Sequence, residues 1–214
     1  MAGGGGEGRM TPQKRLFDLA LALVAGLLLL PLIVLVTCVI LLRDGRPVFY
    51  LSERMRAPDT AFRLVKFRTM TTDRADSGVS GGDKSARITR TGRILRRSRL
   101  DEVPQLWNIL AGDMSFVGPR PPLRRYVDRF PALYSGVLRN RPGITGLATL
   151  HFHAHEERLL SACTTPKETD AVYARRCVPR KARLDLLYAR EANLCLDVKI
   201  LVQTGRRLLR PRRR

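Results

Sequence analysis

Residues 16–42 read LFDLALALVAGLLLLPLIVLVTCVILL, an apolar run holding one acid, Asp18, and one proline, Pro31. At 1.5 Å per residue, a helix of about 27 residues covers roughly 40 Å, enough to cross the hydrocarbon of a bilayer. A cleaved signal peptide has a shorter apolar core and a small-residue cleavage site, whereas this run ends in Leu41-Leu42-Arg43. The stretch therefore reads as a retained membrane helix over residues 14–43. Basic residues flank both ends: Lys14 and Arg15 before it, then Arg43, Arg46, Arg54 and Arg56. Both flanks prefer the cytosol, which a straight span cannot satisfy. A helix that enters, bends and returns can, and Pro31 supplies the bend by removing a backbone donor and clashing with the preceding turn. A re-entrant helix is the expectation; the alternative is a tilted single span that tolerates Pro31. Residues 1–13, Gly-rich up to Gly8, are expected to be disordered.

Outside this run the chain is polar and basic. Its 214 residues suit one domain. Lys and Arg number 39 against 19 Asp and Glu, a net charge of +20 that attracts polyanions. Nucleic acid, anionic headgroups and phosphorylated substrates all qualify, but an apolar segment beside the charge favours membrane lipids and no nucleic acid. Cys38, Cys163, Cys177 and Cys195 lie far apart without a CxxC pair, as expected of reduced thiols that ligate no metal.

Residues 44–209 form the expected cytosolic domain. Pro47-Val-Phe-Tyr-Leu and Ala61-Phe-Arg-Leu-Val-Lys-Phe-Arg flank the turn-like Ala57-Pro58-Asp59-Thr60 and predict a hairpin. Thr71–Lys84 reads as a loop, either a lid or plain disorder. Ile88–Leu110 has helical periodicity interrupted around Ser98–Pro104. If Asp101 caps the second helix, Pro104 becomes its third position, which a proline tolerates. A final amphipathic helix is expected over about Arg180–Leu209, able to pack on the domain or lie on the bilayer. The basic tail, 210–214, would strengthen headgroup contact. The fold class is thus α/β: a small mixed domain rich in amphipathic helices, attached to an N-terminal re-entrant membrane helix.

Three motifs cluster within about sixty residues: Leu100-Asp-Glu-Val-Pro-Gln-Leu-Trp-Asn, Gly112-Asp-Met-Ser-Phe-Val-Gly-Pro-Arg-Pro-Pro and Arg141-Pro-Gly-Ile-Thr-Gly, with Lys66-Phe-Arg-Thr-Met upstream. A carboxylate can act as a covalent nucleophile, and phosphoryl transfer needs positioning plus cationic charge. Asp101 and Glu102 amid arginines suit that chemistry; alone, the pair would read as a helix cap and a solvated acid. The combination resembles the bacterial sugar transferase family, small monotopic phosphoglycosyl transferases that initiate polysaccharide and glycoconjugate assembly. The resemblance covers about Lys14 to Leu209.

That resemblance implies transfer of a sugar-1-phosphate from a UDP-sugar to polyprenol phosphate, with undecaprenyl phosphate as the expected lipid, at the cytosolic face of the bacterial inner membrane. It implies a ping-pong route. Asp101 attacks the sugar-bearing phosphate, UMP leaves, and the polyprenol phosphate attacks the phosphosugar-enzyme ester, with Glu102 helping to bind Mg²⁺. Arg96 matches a family arginine, and Arg120, beside Pro119 in the Gly-Pro-Arg-Pro turn, is a candidate for diphosphate contact because guanidinium forks fit phosphate oxygens. Lys66, Arg68 and Arg141 complete the candidate substrate residues. The rival class is a basic membrane-anchored binding or scaffold protein without catalysis.

His151, His153 and His155 alternate, and on a strand all three would face one side as a metal site could require. Without a supporting Cys, solvated histidines are preferred. Trp107 and Phe116 are read as core or interface anchors. After Gly146 the sequence continues Leu-Ala-Thr-Leu-His rather than the family's frequent Trp-Ala-Gln-Val-Asn-Gly-Arg, a departure that bears on sugar specificity.

Overall fold

The computed structural model describes residues 10–73 and 79–209. The basic tail, most of the N-terminal segment expected to be disordered, and the middle of the 71–84 loop lie outside the described residues. Helix α1 spans Pro12–Arg43 and begins two residues before the expected boundary. Thr11 explains this start: its hydroxyl accepts from the Lys14 N–H at 3.2 Å, and Pro12 stands in the first turn, where a missing N–H goes unnoticed. The helix assignment is continuous through Pro31.

The expected hairpin forms from β1 (Phe49–Met55) and β2 (Ala61–Phe67), antiparallel with Tyr50 opposite Lys66 and Arg54 opposite Phe62. A 3-10 turn, Gly82–Arg87, begins within the last residues of the expected 71–84 loop. Then come α2 (Arg90–Ser98), a 3-10 segment at Leu100–Gln105, α3 (Leu106–Ala111) and β3 (Ser115–Val117). Short α4 (Arg124–Arg129) and α5 (Pro131–Val137) lead to β4 (Gly143–Thr145), which pairs parallel with β3. The last third is helical: α6 (Leu147–Ser161), α7 (Pro166–Val172), a π turn at Tyr173–Cys177, α8 (Val178–Glu191) and α9 (Leu194–Leu209). Among the described residues the architecture is thus helix-rich and mixed, with two two-stranded sheets.

The last third departs from its sequence pattern in two places. The single helix over 180–209 is two: the chain extends at Ala192, and the Asn193 side chain accepts from the Leu196 N–H at 2.9 Å to start α9 afresh. The three histidines lie on α6, not a strand. Helical spacing sends His153 to a different side from His151 and His155. His153 pairs with Glu157 at 3.2 Å and His155 meets Arg180 at 3.2 Å. Among the described residues no group of three or more His, Cys, Asp or Glu could hold a metal by itself.

The main core lies where Tyr126, Tyr134, Phe152, Tyr173 and Cys177 gather. α1 docks on two smaller clusters. Its first half places Ala22, Ala25 and Leu29 against Phe62, Leu64, Ile109 and Met114. Its second half places Val36 and Ile40 against Phe67 and Leu95. α1 is long and apolar enough to cross a membrane, yet only 11% of its most apolar window is buried against protein. Leu23, Leu27, Leu28 and Leu30 remain more than half exposed. So large an apolar face demands lipid, and the chain is membrane-associated.

Polar contacts pin the start of α1 to the domain. Lys14 Nζ pairs with Asp197 Oδ2 at 2.5 Å, and the Tyr188 hydroxyl donates to Asp197 Oδ1 at 2.6 Å. Arg15 donates to the carbonyls of Ile109 and Leu110 at 2.6 and 3.0 Å, satisfying orphan acceptors at the end of α3. Asp18 accepts from the Phe116 N–H at 3.3 Å.

Candidate active site

The Asp-Glu pair is delivered by a turn rather than a cap. Arg99 adopts left-handed backbone, φ 61°, between α2 and the 3-10 segment, which swings Asp101 and Glu102 inward. Left-handed backbone is uncommon outside glycine, so packing must hold it there. Asp101 is therefore not an N-cap: it and Glu102 lie within the first turn of the 3-10 segment, and Pro104 precedes α3 instead of sitting inside it. Asn108, from the same motif, locks this corner to the hairpin. Its Oδ1 accepts from the Val65 N–H at 3.0 Å, and its Nδ2 donates to the Arg63 carbonyl at 2.8 Å, as an extra strand would. β2 thereby holds Lys66 against the pair.

Glu102 Oε1 collects three cations: Arg120 at 2.6 Å, Lys66 at 3.0 Å and Arg99 at 3.5 Å. Burial pushes the Glu102 carboxyl upward, but these charges together outweigh it and hold the group well below the usual range. Glu102 is ionised. Asp101 behaves oppositely: burial raises its pKa, with the Glu102 charge adding to the rise and Lys66, Arg120 and Arg96 opposing it. Asp101 is 8% exposed, and among the described residues its buried Oδ1 has no hydrogen-bond partner. Burial also lowers Lys66, against the pull of Glu102, to about 8.

Close backbone contacts set the arginines. A Cβ at Gly92 would stand 2.0 Å from the Thr69 carbonyl, so glycine lets α2 lie on the end of the Lys66-Phe-Arg-Thr-Met segment. There Arg96 donates to Thr69 Oγ1 at 2.8 Å. A Cβ at Gly118 would stand 2.1 Å from the Arg141 carbonyl. That approach clamps the Gly-Pro-Arg-Pro turn on the Arg-Pro-Gly-Ile-Thr-Gly block, with the Gly143 N–H donating to the Pro119 carbonyl at 2.8 Å and the Gly118 N–H to Thr145 at 2.9 Å. Arg120 is aimed by this clamp.

The structure thus brings Asp101, Glu102, Lys66, Arg96 and Arg120 together. Arg68 is placed elsewhere, donating to the Asp44 and Gly45 carbonyls at 2.5 and 2.6 Å where α1 ends. Arg141 donates to the Gly112 carbonyl, and buried Pro119 acts through its backbone. Phe116 packs inside, while Trp107 is 67% exposed beside a lipid-seeking helix, the position of an interface anchor. Sequence reasoning missed Arg99, although its place three residues before Glu102 was a readable signal.

Cations outnumber carboxylates here, so an anion with several oxygens would be neutralised on entry. Mg²⁺ keeps several waters and takes phosphate oxygens, needing only one or two carboxylates. Glu102, held ionised beside Asp101, fits that requirement.

A buried carboxylate pair ringed by arginines, on a domain carrying a lipid-seeking helix, is the equipment of a membrane-associated phosphoryl-group transferase. The chain belongs to the bacterial sugar transferase family, whose sequence model matches residues 9–211. It is 35% identical over 196 residues to the uncharacterized sugar transferase EpsL of Bacillus subtilis, covering 92% of this chain and 87% of that one. It is 34% identical over 203 residues to the UDP-N-acetylgalactosamine-undecaprenyl-phosphate N-acetylgalactosaminephosphotransferase of Aeromonas hydrophila, covering 92% of this chain and 43% of the relative. Identity is 36% over 203 residues with the undecaprenyl-phosphate glucose phosphotransferase of Komagataeibacter xylinus, covering 91% and 35%. The chain spans less than half the length of the last two.

Proposed function

We propose that this protein is a phosphoglycosyl transferase that moves a sugar-1-phosphate from a UDP-sugar to polyprenol phosphate, undecaprenyl phosphate in particular, through a covalent phosphosugar on Asp101. The observation that carries this reading is the buried, unpartnered Oδ1 of Asp101 beside a Glu102 held ionised by three cations. A carboxylate oxygen stripped of donors has its lone pairs available for attack. Asp101 attacks the sugar-bearing phosphorus, the bond to the UMP oxygen breaks, and UMP departs with that electron pair. An oxygen of the polyprenol phosphate then attacks the same phosphorus and frees Asp101, giving polyprenol diphosphate sugar. Arg120 and Lys66 neutralise the phosphate charge that builds in both steps. Glu102 would hold Mg²⁺, which when bound would supply further neutralisation of the diphosphate oxygens.

α1 is proposed to be re-entrant, with the domain on the cytosolic face of the inner membrane. Contacts from Lys14 near its start and Ile40 near its end to one domain support this, because a helix spanning the bilayer would carry one end away. Cysteine labels at residues 10 and 46 should react only from the cytosol; periplasmic labelling at 10 would establish a single span.

The test of the chemistry is a quenched reaction with Mg²⁺ and a panel of UDP-sugars, without lipid. The peptide holding Asp101 should gain one sugar-phosphate mass, and UMP should appear in a burst comparable to the enzyme concentration, then stall until polyprenol phosphate is added. Full turnover with a donor that gives neither burst nor adduct would instead make Asp101 a general base for direct transfer.

A further inference from the structure

Arg54 stands near the end of β1 that meets the Gly-Pro-Arg-Pro turn, and strand register fixes which way it faces. Tyr50 lies opposite Lys66, and Arg54 opposite Phe62. Cross-strand partners share a face and residues two apart repeat it, so Arg54 shares the side of the hairpin from which Lys66 reaches Glu102. Four residues separate the two rungs, about 14 Å along the strand. The loop that aims Arg120 crosses this end of the hairpin, with the Met55 N–H donating to the Pro122 carbonyl at 3.0 Å.

Neighbouring charges are paired, and among the described residues Arg54 is not. Glu53 accepts from Arg124 at 3.0 Å, and Arg56 lies 3.6 Å from Asp113. Among the described residues Arg54 makes no ion pair, and its Nε is buried without a hydrogen-bond partner. Burial and then the charge of Arg120 lower its pKa, with the hydroxyls of Tyr173, Tyr50 and Tyr126 opposing. A half-buried guanidinium beside a second one, with no carboxylate at hand, is unfavourable until an anion arrives. Its fork geometry fits phosphate oxygens better than any other anion of the reaction.

We propose that Arg54 is a phosphate-binding residue of the transfer site, taking together with Arg120 a phosphate oxygen carried by the departing nucleotide or by the acceptor lipid. The proposal rests on the transferase reading above. It gives the Met55 end of the hairpin a role distinct from the Asp101 corner: there the phosphate that is not being attacked is held.

Equilibrium binding of UMP and of a short-chain polyprenol phosphate to detergent-solubilised protein tests this without requiring turnover. Arg54→Gln should weaken one of them about 10- to 100-fold, the range of a lost charge-assisted hydrogen bond. Weakened UMP binding with unchanged lipid binding assigns the nucleotide phosphate; the reverse assigns the lipid. Arg54→Lys, which keeps charge without the fork, should recover part of the loss, and Glu53→Gln, at a paired surface position, should leave both affinities unchanged. Unaltered affinity for both ligands in Arg54→Gln overturns the proposal, as does a loss that tracks a lowered melting temperature and is not recovered by Lys. Wild-type protein that releases no UMP from any UDP-sugar would sink the transferase reading instead, leaving the Arg54 dependence of UMP binding still measurable.

Discussion

Two buried carboxylate clusters invite comparison, one around Glu102 and one around Asp197. Asp197 is 1% exposed and both its oxygens are matched, one by Lys14 and one by the Tyr188 hydroxyl. That Tyr188 oxygen also lies 3.2 Å from the Val117 carbonyl, so the network closes on itself. At Glu102 three cations converge on a single oxygen, while the adjacent Asp101 keeps a buried oxygen with no partner. Asp197 itself is fully matched and joins α1 to α9. The Glu102 cluster is complete only when something else enters. Buried polar networks that satisfy themselves fix structure, and those left open mark sites.

Breaking the open cluster at its unpartnered end should give the largest effect. Asp101→Asn keeps size while removing the nucleophilic charge, so turnover should fall at least about 10³-fold. The melting temperature should not fall, because that oxygen makes no hydrogen bond to lose. Near-native UMP release by this variant would remove the covalent assignment. Glu102→Gln, by contrast, strands three cations and should lower stability and activity together.

The closed cluster should respond the other way. Asp197→Ala leaves Lys14 and Tyr188 without their acceptor, and losing one member of a buried pair destabilises by about 3–5 kcal/mol. Thermal unfolding in detergent reads this directly. If Asp197→Ala instead left stability untouched and abolished UMP release, the division between the two clusters would be wrong.

The same division explains what was legible in the sequence. The hairpin, the apolar helix and the Asp-Glu, Gly-Pro-Arg-Pro and Arg-Pro-Gly blocks are local patterns, readable from alternation, composition and turn chemistry. The clasp is not, because Lys14 and Asp197 lie at opposite ends of the chain and neither belongs to a pattern. Arg68 and Lys66 look alike in sequence two residues apart, yet β2 stops at Phe67 and Arg68 turns away to the end of α1. The histidines alternate as a strand would, and so do the buried Ala148, Leu150 and Phe152 between them, so the local pattern hides the helix that α6 forms. Asp101 looked like a cap because left-handed backbone at a non-glycine residue such as Arg99 has no sequence signature.

Another buried acid, Asp185 on α8, belongs to neither cluster. Burial raises its pKa to about 7, with Lys181 opposing and Glu156 adding. The folded state therefore keeps a proton that the unfolded chain releases near its ordinary value of 3.8. Stability from this group is present below about pH 4 and is lost as pH rises through about 7, by up to about 4 kcal/mol. Asp185→Asn should flatten the fall in melting temperature between pH 5 and 8. An unchanged slope would mean that Asp185 titrates normally.

The smallest effect expected at neutral pH, and the sharpest test of the open cluster, comes from Lys66. Its ammonium is one of the three cations on Glu102, and burial has lowered its pKa to about 8. As pH rises through that value the proton is lost, Glu102 keeps only Arg99 and Arg120, and the phosphate loses one neutralising charge. Donor-step activity should therefore fall on an alkaline limb near pH 8. Arginine stays charged throughout this range. Lys66→Arg should keep UMP release within about tenfold of wild type at pH 7, a modest shift in geometry. Its alkaline limb should move upward by more than about one pH unit, since no other group at Glu102 titrates there. Lys14→Arg, the matching change in the closed cluster, should leave the limb where it is. A limb that stays near pH 8 in Lys66→Arg would assign it to some other group and would remove Lys66 from the charge balance on the transferring phosphate.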